Sequence, residues 1–433
     1  MSKSLRLLAA VAAVCILTAL TQAQIQTAKA TNYKEEVLHA FNRTSDGWVP
    51  TSLVRDAKGN LYGANAYGGY LGDGCDSFFP GCGTVFELTA EGKFKLLHTF
   101  KYDDGAVPVG NLIQDASGNL YGTTNDGGNN GKCESGCGVV FKLTPAGKFT
   151  MLYNFTGSEG SNPTSGVIID AAGNLYGVAQ TYGAGEVFEL TASGDFRVVY
   201  SFNGTTDGGS PNGVIQDSNG NLYGTTAYGG DAPCYFHQTG VGCGVVYKLD
   251  TSGNETVLYR FKGLSDGAFP GAPLFMDKAG NLYGTTTRGG DDKGNCNHTN
   301  ELLPGCGTIF EIDTAGTFSV LFTFDSADGY SPNQIMQDAH GNLYGTTPSG
   351  GNGKCSYGDY AIGCGVVFKL TPSGKESVLH NFRGQWDGGN PSGAVVEDSK
   401  GNFYGTTYYG GDLSCVPYNG SGPGCGVIFE LTP

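Results

Sequence analysis

Seven equivalent positions in the sequence carry side chains that could recognise a polar ligand. Each comes directly before a Gly-Gly pair, or Gly-Ala in one unit, and the set comprises Tyr67, Asp126, Tyr182, Tyr228, Arg288, Ser349 and Tyr409. A tyrosine ring offers a flat apolar face and a hydroxyl group, which suits stacking on a sugar ring. We therefore predict a carbohydrate-binding site with these four tyrosines as stacking residues. The alternative interpretation is that the rings only fill gaps between loops.

A second set of equivalent positions carries carboxylates, each followed by glycine. Its members are Asp46, Asp104, Glu159, Asp207, Asp266, Asp328 and Asp387. A ring of carboxylates could bind Ca²⁺, or could supply the acid and base of a polysaccharide lyase or glycoside hydrolase. However, Asp-Gly with proline three residues later is also ordinary turn chemistry, which we favour. We predict no cofactor, and keep Ca²⁺ and polysaccharide cleavage as alternatives.

Two residues of the candidate site break the repeat and are therefore not explained by it. Glu186 replaces the Val or Thr that other units place at the same point, in a unit whose long loop is short. Arg288 occupies a position that is tyrosine in four other units. We predict that Asp126, Glu186 and Arg288 supply polar contacts to a ligand. No G-x-S-x-G, H-E-x-x-H or Walker motif is present, so a binding protein is favoured over an enzyme.

The cysteines predict disulfides within repeats. Of 13 cysteines, Cys15 lies in the N-terminal apolar run, and the other twelve fall as local pairs: Cys75/Cys82, Cys133/Cys137, Cys234/Cys243, Cys296/Cys306, Cys355/Cys364 and Cys415/Cys425. The third unit lacks both members of its pair, as expected if the two are bonded to each other. Each pair offers a metal only two thiolates, so six disulfides formed in an oxidising compartment are favoured over zinc sites.

The elements that must position these residues are short strands in a sevenfold repeat. The sequence GNLYG begins at Gly59, Gly118, Gly173, Gly220, Gly280 and Gly341, and its variant GNFYG begins at Gly401. Each unit contains four short runs rich in β-branched and aromatic residues, separated by turn residues. This predicts an all-β, seven-bladed β-propeller of four-stranded antiparallel blades. The chain begins with one strand and ends three strands into a blade, so Val37 to Phe41 should complete the last blade.

The N-terminal sequence indicates where the protein is located, and its net charge indicates which partners it can bind. Basic residues precede an apolar run from Leu7 to Leu20, with small-residue cleavage sites after Ala23 or Ala30. This pattern predicts a signal peptide at residues 1–30 and one domain at residues 31–433, exported to the periplasm, cell surface or medium. The net charge of −15 disfavours nucleic acid as a partner. We expect a monomer without a membrane span that binds carbohydrate or a surface protein.

The repeat GVIQDSNGNLYGTTAYGG, followed later in the unit by GCGVVYKL, resembles the GloVer tandem repeat of bacterial exported choice-of-anchor proteins. The resemblance covers about residues 34 to 433 in seven copies. It implies a bacterial, exported, propeller-like protein, and it brings no catalytic residues with it. The family's usual C-terminal sorting tail is not found after GVIFELTP.

Overall fold

The computed structural model describes residues 33–43, 45–72, 74–75, 80–129, 133–180, 184–231, 234–236, 239–290, 296, 305–357, 360–415 and 424–433. The expected signal peptide, with its cleavage sites after Ala23 or Ala30, lies outside the described residues, and so does Tyr182. Within the described ranges, no helix is long and apolar enough to cross a membrane.

The first four blades follow one another along the chain, after an N-terminal strand β1 (Lys34–Ala40). In each blade four strands pair antiparallel in sequence order. Blade 1 comprises β2 (Trp48–Arg55), β3 (Leu61–Tyr67), β4 (Thr84–Leu88) and β5 (Phe94–Thr99). Blade 2 comprises β6 (Ala106–Gln114), β7 (Leu120–Asp126), β8 (Val139–Leu143) and β9 (Phe149–Asn154). Blade 3 comprises β10 (Ser161–Pro163) with β11 (Ile168–Ile169), then β12 (Leu175–Gln180), β13 (Glu186–Leu190) and β14 (Phe196–Ser201). Blade 4 comprises β15 (Gly209–Gln216), β16 (Leu222–Tyr228), a loop ribbon of β17 (Tyr235–Phe236) and β18 (Thr239–Gly240), then β19 (Val245–Leu249) and β20 (Glu255–Arg260).

The last three blades repeat the same plan. Blade 5 comprises β21 (Ala268–Pro270) with β22 (Phe275–Met276), then β23 (Leu282–Arg288), β24 (Thr308–Ile312) and β25 (Phe318–Thr323). Blade 6 comprises β26 (Met336–Gln337), β27 (Leu343–Thr347), a loop ribbon of β28 (Ser356–Tyr357) and β29 (Tyr360–Ala361), then β30 (Val366–Leu370) and β31 (Glu376–Asn381). Blade 7 comprises β32 (Gly389–Glu397), β33 (Phe403–Tyr409) and β34 (Val427–Thr432). Among the described residues, the one helical element is a 3₁₀ turn at Tyr102–Asp104.

The ring closes as predicted from its two ends. Strand β1 pairs antiparallel with β34, and the register places Lys34 opposite Thr432 and Ala40 opposite Val427. Blade 7 thereby gains its fourth strand from the other end of the chain. The protein is a seven-bladed β-propeller, in which closure removes the exposed edge that an open array of sheets would have.

The apolar core lies between adjacent blades. At each of the seven interfaces an aromatic ring that follows the outer strand of one blade packs at a steep angle on a ring of the next blade, with centroids 4.9–5.3 Å apart: Phe41/Phe86, Phe100/Phe141, Phe155/Phe188, Phe202/Tyr247, Phe261/Phe310, Phe324/Phe368 and Phe382/Phe429. The last glycine of GNLYG faces the second ring of each pair. A Cβ atom at Gly284, for example, would overlap with the ring of Phe310. This glycine is therefore required by packing.

The remaining letters of GNLYG build a turn around one aspartate. In blade 6, Asp338 accepts hydrogen bonds from the backbone of His340 and Asn342, from the Asn342 side chain at 2.7 Å and from the Tyr344 hydroxyl at 3.1 Å. All seven blades form this arrangement, centred on Asp56, Asp115, Asp170, Asp217, Asp277, Asp338 and Asp398. The motif thus orders a turn and anchors a tyrosine.

The threonine that follows GNLYG ties neighbouring blades together. The Thr346 hydroxyl of blade 6 donates to the Gly393 carbonyl of blade 7 at 2.7 Å. Equivalent bonds join Thr123 to Ser165, Thr225 to Ala272 and Thr285 to Asn333. Each of these bonds joins the second strand of one blade to the innermost segment of the next blade.

Candidate functional site

One face of the ring is built from the long loops and the connections between blades, which contact each other directly. In blades 2, 4, 5, 6 and 7 the second glycine of the Gly-Gly pair donates its amide hydrogen to a carbonyl of the preceding inter-blade connection, as Gly411 does to Gln385 at 2.9 Å. We call this surface the loop face. The Gly-Gly pairs dock each long loop onto the neighbouring connection, because both glycines of the pair adopt positive φ.

All six predicted disulfides are confirmed, and they brace the loop face. The pairs are Cys75–Cys82, Cys133–Cys137, Cys234–Cys243, Cys296–Cys306, Cys355–Cys364 and Cys415–Cys425, with Cα atoms 4.9–5.7 Å apart. They close short loops, so their main effect is on loop shape. Bonds of this kind are typical of proteins that fold outside the reducing cytosol.

Most of the carboxylates that precede glycine, predicted above as a ring, contact tyrosine and histidine side chains at the blade interfaces. Asp207 and Asp266 accept hydrogen bonds from Tyr200 and Tyr259 at 2.8 Å, and Glu159 accepts one from Tyr153 at 2.6 Å. Histidine takes the place of this tyrosine at three other interfaces. His39 hydrogen-bonds to Asp46 at 2.8 Å, whereas Nε2 of His98 and Nε2 of His380 lie 3.2 Å and 3.8 Å from Asp104 and Asp387 without a hydrogen bond. The turn interpretation therefore describes these residues better than a Ca²⁺ ring. Within the described part of the chain, no group of three or more His, Cys, Asp or Glu side chains is arranged to hold a metal ion.

The three predicted stacking tyrosines that the structure describes lie at the bases of the loops and are at least partly covered by protein. Tyr67 packs against the buried ring of Trp48, and Tyr228 packs edge-on against Phe269. Tyr409 is 7% exposed, and its burial raises its pKa to about 12. Its ring lies against Gly389 and Gly384, in the connection from blade 6 to blade 7. A ligand could reach little of Tyr409, so this ring supports the connection above it.

The predicted polar residues lie on different blades. Asp126 accepts a hydrogen bond from the Asn162 side chain at 3.1 Å, and the Arg288 guanidinium stacks 4.6 Å from the centroid of Tyr330. Glu186 begins β13, and its Oε2 atom is buried without a hydrogen-bond partner. Burial raises the pKa of Glu186, and the negative charge of Glu159 adds to this. Of the three residues, Glu186 is the one with a buried oxygen that the described structure leaves unpaired.

Trp386 is an exposed aromatic side chain of the loop face that was not among the residues predicted from the sequence. Its side chain is 53% exposed, at a repeat position that holds Ser, Asp, Thr or Ala in other blades. A tight turn presents it: Gly384 donates to the Gly388 carbonyl at 2.8 Å, and Gly388 donates to the Gln385 carbonyl at 3.2 Å. The signal was visible in the sequence, since a tryptophan is unusual in an Asp-Gly turn that requires no large side chain.

Other exposed apolar side chains accompany Trp386 on this face. Those described as at least 40% exposed in the long loops and inter-blade connections are Tyr70, Leu71, Leu264, Trp386 and Leu413. Leu413 follows Gly411, whose amide bonds to Gln385 beside Trp386, so these two side chains belong to one region. Adjacent exposed apolar side chains such as Trp386 and Leu413 are typical of binding surfaces, whereas single ones such as Leu264 are ordinary.

The ring axis carries a channel of about 280 Å³ with an uncharged lining. Its walls come from the innermost strands of all seven blades and include Thr51, Asn111, Ser165, Asn212, Asn333 and Gln334. The Asn111 amide donates to the Gln334 side-chain oxygen at 2.9 Å, joining blades 2 and 6. The described lining contains no Asp, Glu, His, Lys or Arg, so the acidic funnel that polysaccharide cleavage would need is not formed there.

The fold and the loop face together define the molecule as a disulfide-braced, all-β propeller of seven blades. Four overlapping segments, residues 23–180, 75–296, 131–358 and 296–433, match the Gloeobacter/Verrucomicrobia repeat, and the chain belongs to this family. No curated protein sequence matches the chain significantly.

Solved structures share the fold at low sequence identity. A catalytically inactive virginiamycin B lyase from Staphylococcus aureus, solved with quinupristin, has a TM-score of 0.55 at 13% identity, over 93% of this chain and 99% of that one. PorZ, a surface component of the type-IX secretion system of Porphyromonas gingivalis, has a TM-score of 0.50 at 13% identity, over 90% of this chain and 48% of that one. At these identities the likeness shows a common fold alone.

Proposed function

We propose that this chain is an exported binding protein that recognises extracellular carbohydrate with the loop face of its propeller. The observation that carries the proposal is the exposure of Trp386 on a rigid turn of that face. Export is supported by the signal-like N-terminus from Lys3 to Ala30 and by the six disulfides.

The side chains around Trp386 are suited to binding a sugar. An indole ring offers a flat apolar surface that covers the C–H face of a pyranose, and Leu413 extends the apolar contact. Arg383 and Gln385 are exposed on the same connection and could hydrogen-bond to hydroxyl groups. A site made of one exposed ring and several polar neighbours binds without needing a deep cavity, which agrees with the small volume of the axial channel.

The earlier candidates take supporting roles in this proposal. Tyr67 and Tyr228 shape the bases of their loops, Tyr409 supports the turn that carries Trp386, and Tyr182 retains its predicted stacking role. Asp126, Glu186 and Arg288 are the polar residues that a polymer extending around the ring could reach. Partial exposure of these residues is compatible with contact to a chain that passes over several blades.

The experiment is a binding screen of the secreted, oxidised protein on glycans and polysaccharides, with the release of reducing ends measured in the same wells. We expect binding without release. Release of reducing ends would instead support a hydrolase or lyase. Absence of any glycan signal, together with capture of a protein ligand, would replace the proposal with a protein-binding function of the same face.

A further inference from the structure

The outer strands of neighbouring blades meet through a repeated ring stack at four of the seven interfaces. A histidine or tyrosine of one blade lies parallel to a phenylalanine that begins the outer strand of the next blade, with centroids 3.6–4.1 Å apart: His39/Phe94, His98/Phe149, Tyr153/Phe196 and Tyr259/Phe318. This contact excludes water between the outer strands and needs no charge.

Glutamate takes the place of that phenylalanine at the other three interfaces. Glu255 begins the outer strand of blade 4, Glu376 that of blade 6, and Glu35 occupies the same position in β1 of blade 7. In all three, Oε1 is buried and has no hydrogen-bond partner. Three interfaces therefore contain a partly buried carboxyl group at the position where the other four pack a phenylalanine ring.

At the interface between blades 6 and 7, Glu35 is close enough to a second buried carboxyl group, that of Asp387, for the two charges to repel each other. Asp387 is 1% exposed, and its Oδ1 atom has no partner, while Oδ2 accepts a hydrogen bond from the Arg383 amide at 3.1 Å. The Nε2 atom of His380 lies 3.8 Å from Oδ2 and makes no hydrogen bond. Glu35 of β1 faces this group and is repelled by Asp387.

The charges around the pair favour a bound proton. Burial raises the pKa of Glu35 to about 7, repulsion by Asp387 adds to this, and Arg383 opposes it. Burial also raises the pKa of Asp387. Hydrogen bonds from the backbone of Gln385 and Arg383 lower this pKa, but burial has the larger effect. His380 cannot supply the missing positive charge, because burial, aided by Arg383, lowers its pKa to about 4.

The other charged groups on the surrounding strands do not neutralise the pair. Glu36 lies on the exposed side of β1 and forms an ion pair with Lys34 at 3.7 Å, and it adds a further repulsion to Glu35. On β34, Glu430 accepts a hydrogen bond from the Tyr404 hydroxyl at 2.8 Å and lies opposite Glu36 in the register. Proton uptake by the Glu35–Asp387 pair is therefore the way in which this interface becomes neutral.

We propose that β1 is a proton-controlled latch: a proton held by the Glu35–Asp387 pair keeps β1 packed on blade 6, and loss of that proton loosens the closure of the ring. Strand β1 is suited to this role because it joins blade 7 only through its pairing with β34, from the opposite end of the chain. A carboxyl group whose pKa is raised on folding stabilises the fold below its unfolded pKa, and this contribution is lost as the pH rises through the folded value. The latch therefore holds at mildly acidic pH and weakens above about pH 7.

The test combines a titration with a stability measurement. In ¹³C NMR of the carboxyl carbons, we expect Glu35 to titrate near pH 7. Urea unfolding of wild-type protein should show lower stability at pH 8.5 than at pH 5.5. Glu35→Gln should remove roughly a third of that loss, since Glu35 is one of three carboxyl groups with pKa values raised to about 7.

Two further variants separate the latch from a general effect of mutation. Glu35→Phe, which rebuilds the ring stack on His380, should also reduce the pH dependence, and Glu36→Gln should leave it nearly unchanged. Hydrogen-exchange protection factors should fall above pH 7 for β1 before they fall for β5. Titration of Glu35 near pH 4.5, an unchanged pH dependence in both Glu35 variants, or parallel loss of protection in β1 and β5 would each overturn the proposal.

Discussion

At the scale of single residues, the aspartate that precedes GNLYG explains most of the repeat. Burial alone would raise the pKa of Asp338, but hydrogen bonds from Asn342, His340 and Tyr344 outweigh it and lower the pKa. The same balance lowers the pKa of the six equivalent aspartates. The ionised carboxylate is thus the form that each turn stabilises.

Asp338→Asn should lower the free energy of unfolding by about 1–3 kcal/mol, because the amide nitrogen cannot accept the bonds from Asn342 and Tyr344. Urea unfolding at pH 6 measures this change. Since the folded pKa lies below the unfolded value of 3.8, the contribution is present above pH 4 and is lost as the pH falls through the folded pKa. The difference between wild type and variant should therefore shrink below pH 4.

Asp250→Asn is the control, because this partly exposed aspartate caps a similar turn without a tyrosine hydroxyl. Its effect should be smaller. Equal effects of the two substitutions would show that the tyrosine contact and the burial of Asp338 contribute nothing.

At the scale of elements, two of the disulfides hold a long loop against an inter-blade connection. A Cβ atom at Gly384 would collide with Sγ of Cys355, so the Cys355–Cys364 bond lies directly against the connection that carries Trp386. The Cys133–Cys137 bond has the same relation to Gly157 in another blade. These two bonds are matched in architecture and differ in the connection they support.

Replacing Cys355 and Cys364 together with serine should lower stability by about 3 kcal/mol, and replacing Cys133 and Cys137 by about 2 kcal/mol, because the second pair closes a shorter loop. Only the first double variant should weaken glycan binding, since only that loop supports the turn of Trp386. Calorimetry and a binding titration on both proteins separate the two effects. Equal loss of binding in both would contradict the assignment of the site to blade 7.

At the scale of the whole molecule, the ring is far more predictable than its binding surface. The repeated GNLYG, the local cysteine pairs and the split last blade predict seven blades, six disulfides and closure by β1, and all three are confirmed. The GNLYG motif recurs in all seven units and the cysteine pair in six, and therefore each copy supports the interpretation of the others.

The candidate site was harder to predict because exposure depends on contacts between blades. Tyr409 is of the residue type expected to stack on a sugar. However, Gly384 and Gly389 lack side chains, which allows its ring to pack beneath the connection between blades 6 and 7. Trp386 departs from a repeat position whose other copies carry small or polar side chains, but the departure alone does not show that its ring is exposed. Local composition does not reveal which of the two rings is covered, since that depends on how two blades meet.

The most direct test of the account is the affinity of Trp386→Ala for a glycan that binds the wild-type protein, measured by isothermal titration calorimetry. Leu264→Ala is the matched control, because Leu264 is a comparably exposed apolar residue in the equivalent connection between blades 4 and 5. The account predicts at least about a tenfold loss of affinity for Trp386→Ala, the loss expected on truncating an aromatic residue at the centre of an interface, and little change for Leu264→Ala. Unchanged affinity of Trp386→Ala in a folded protein would contradict it.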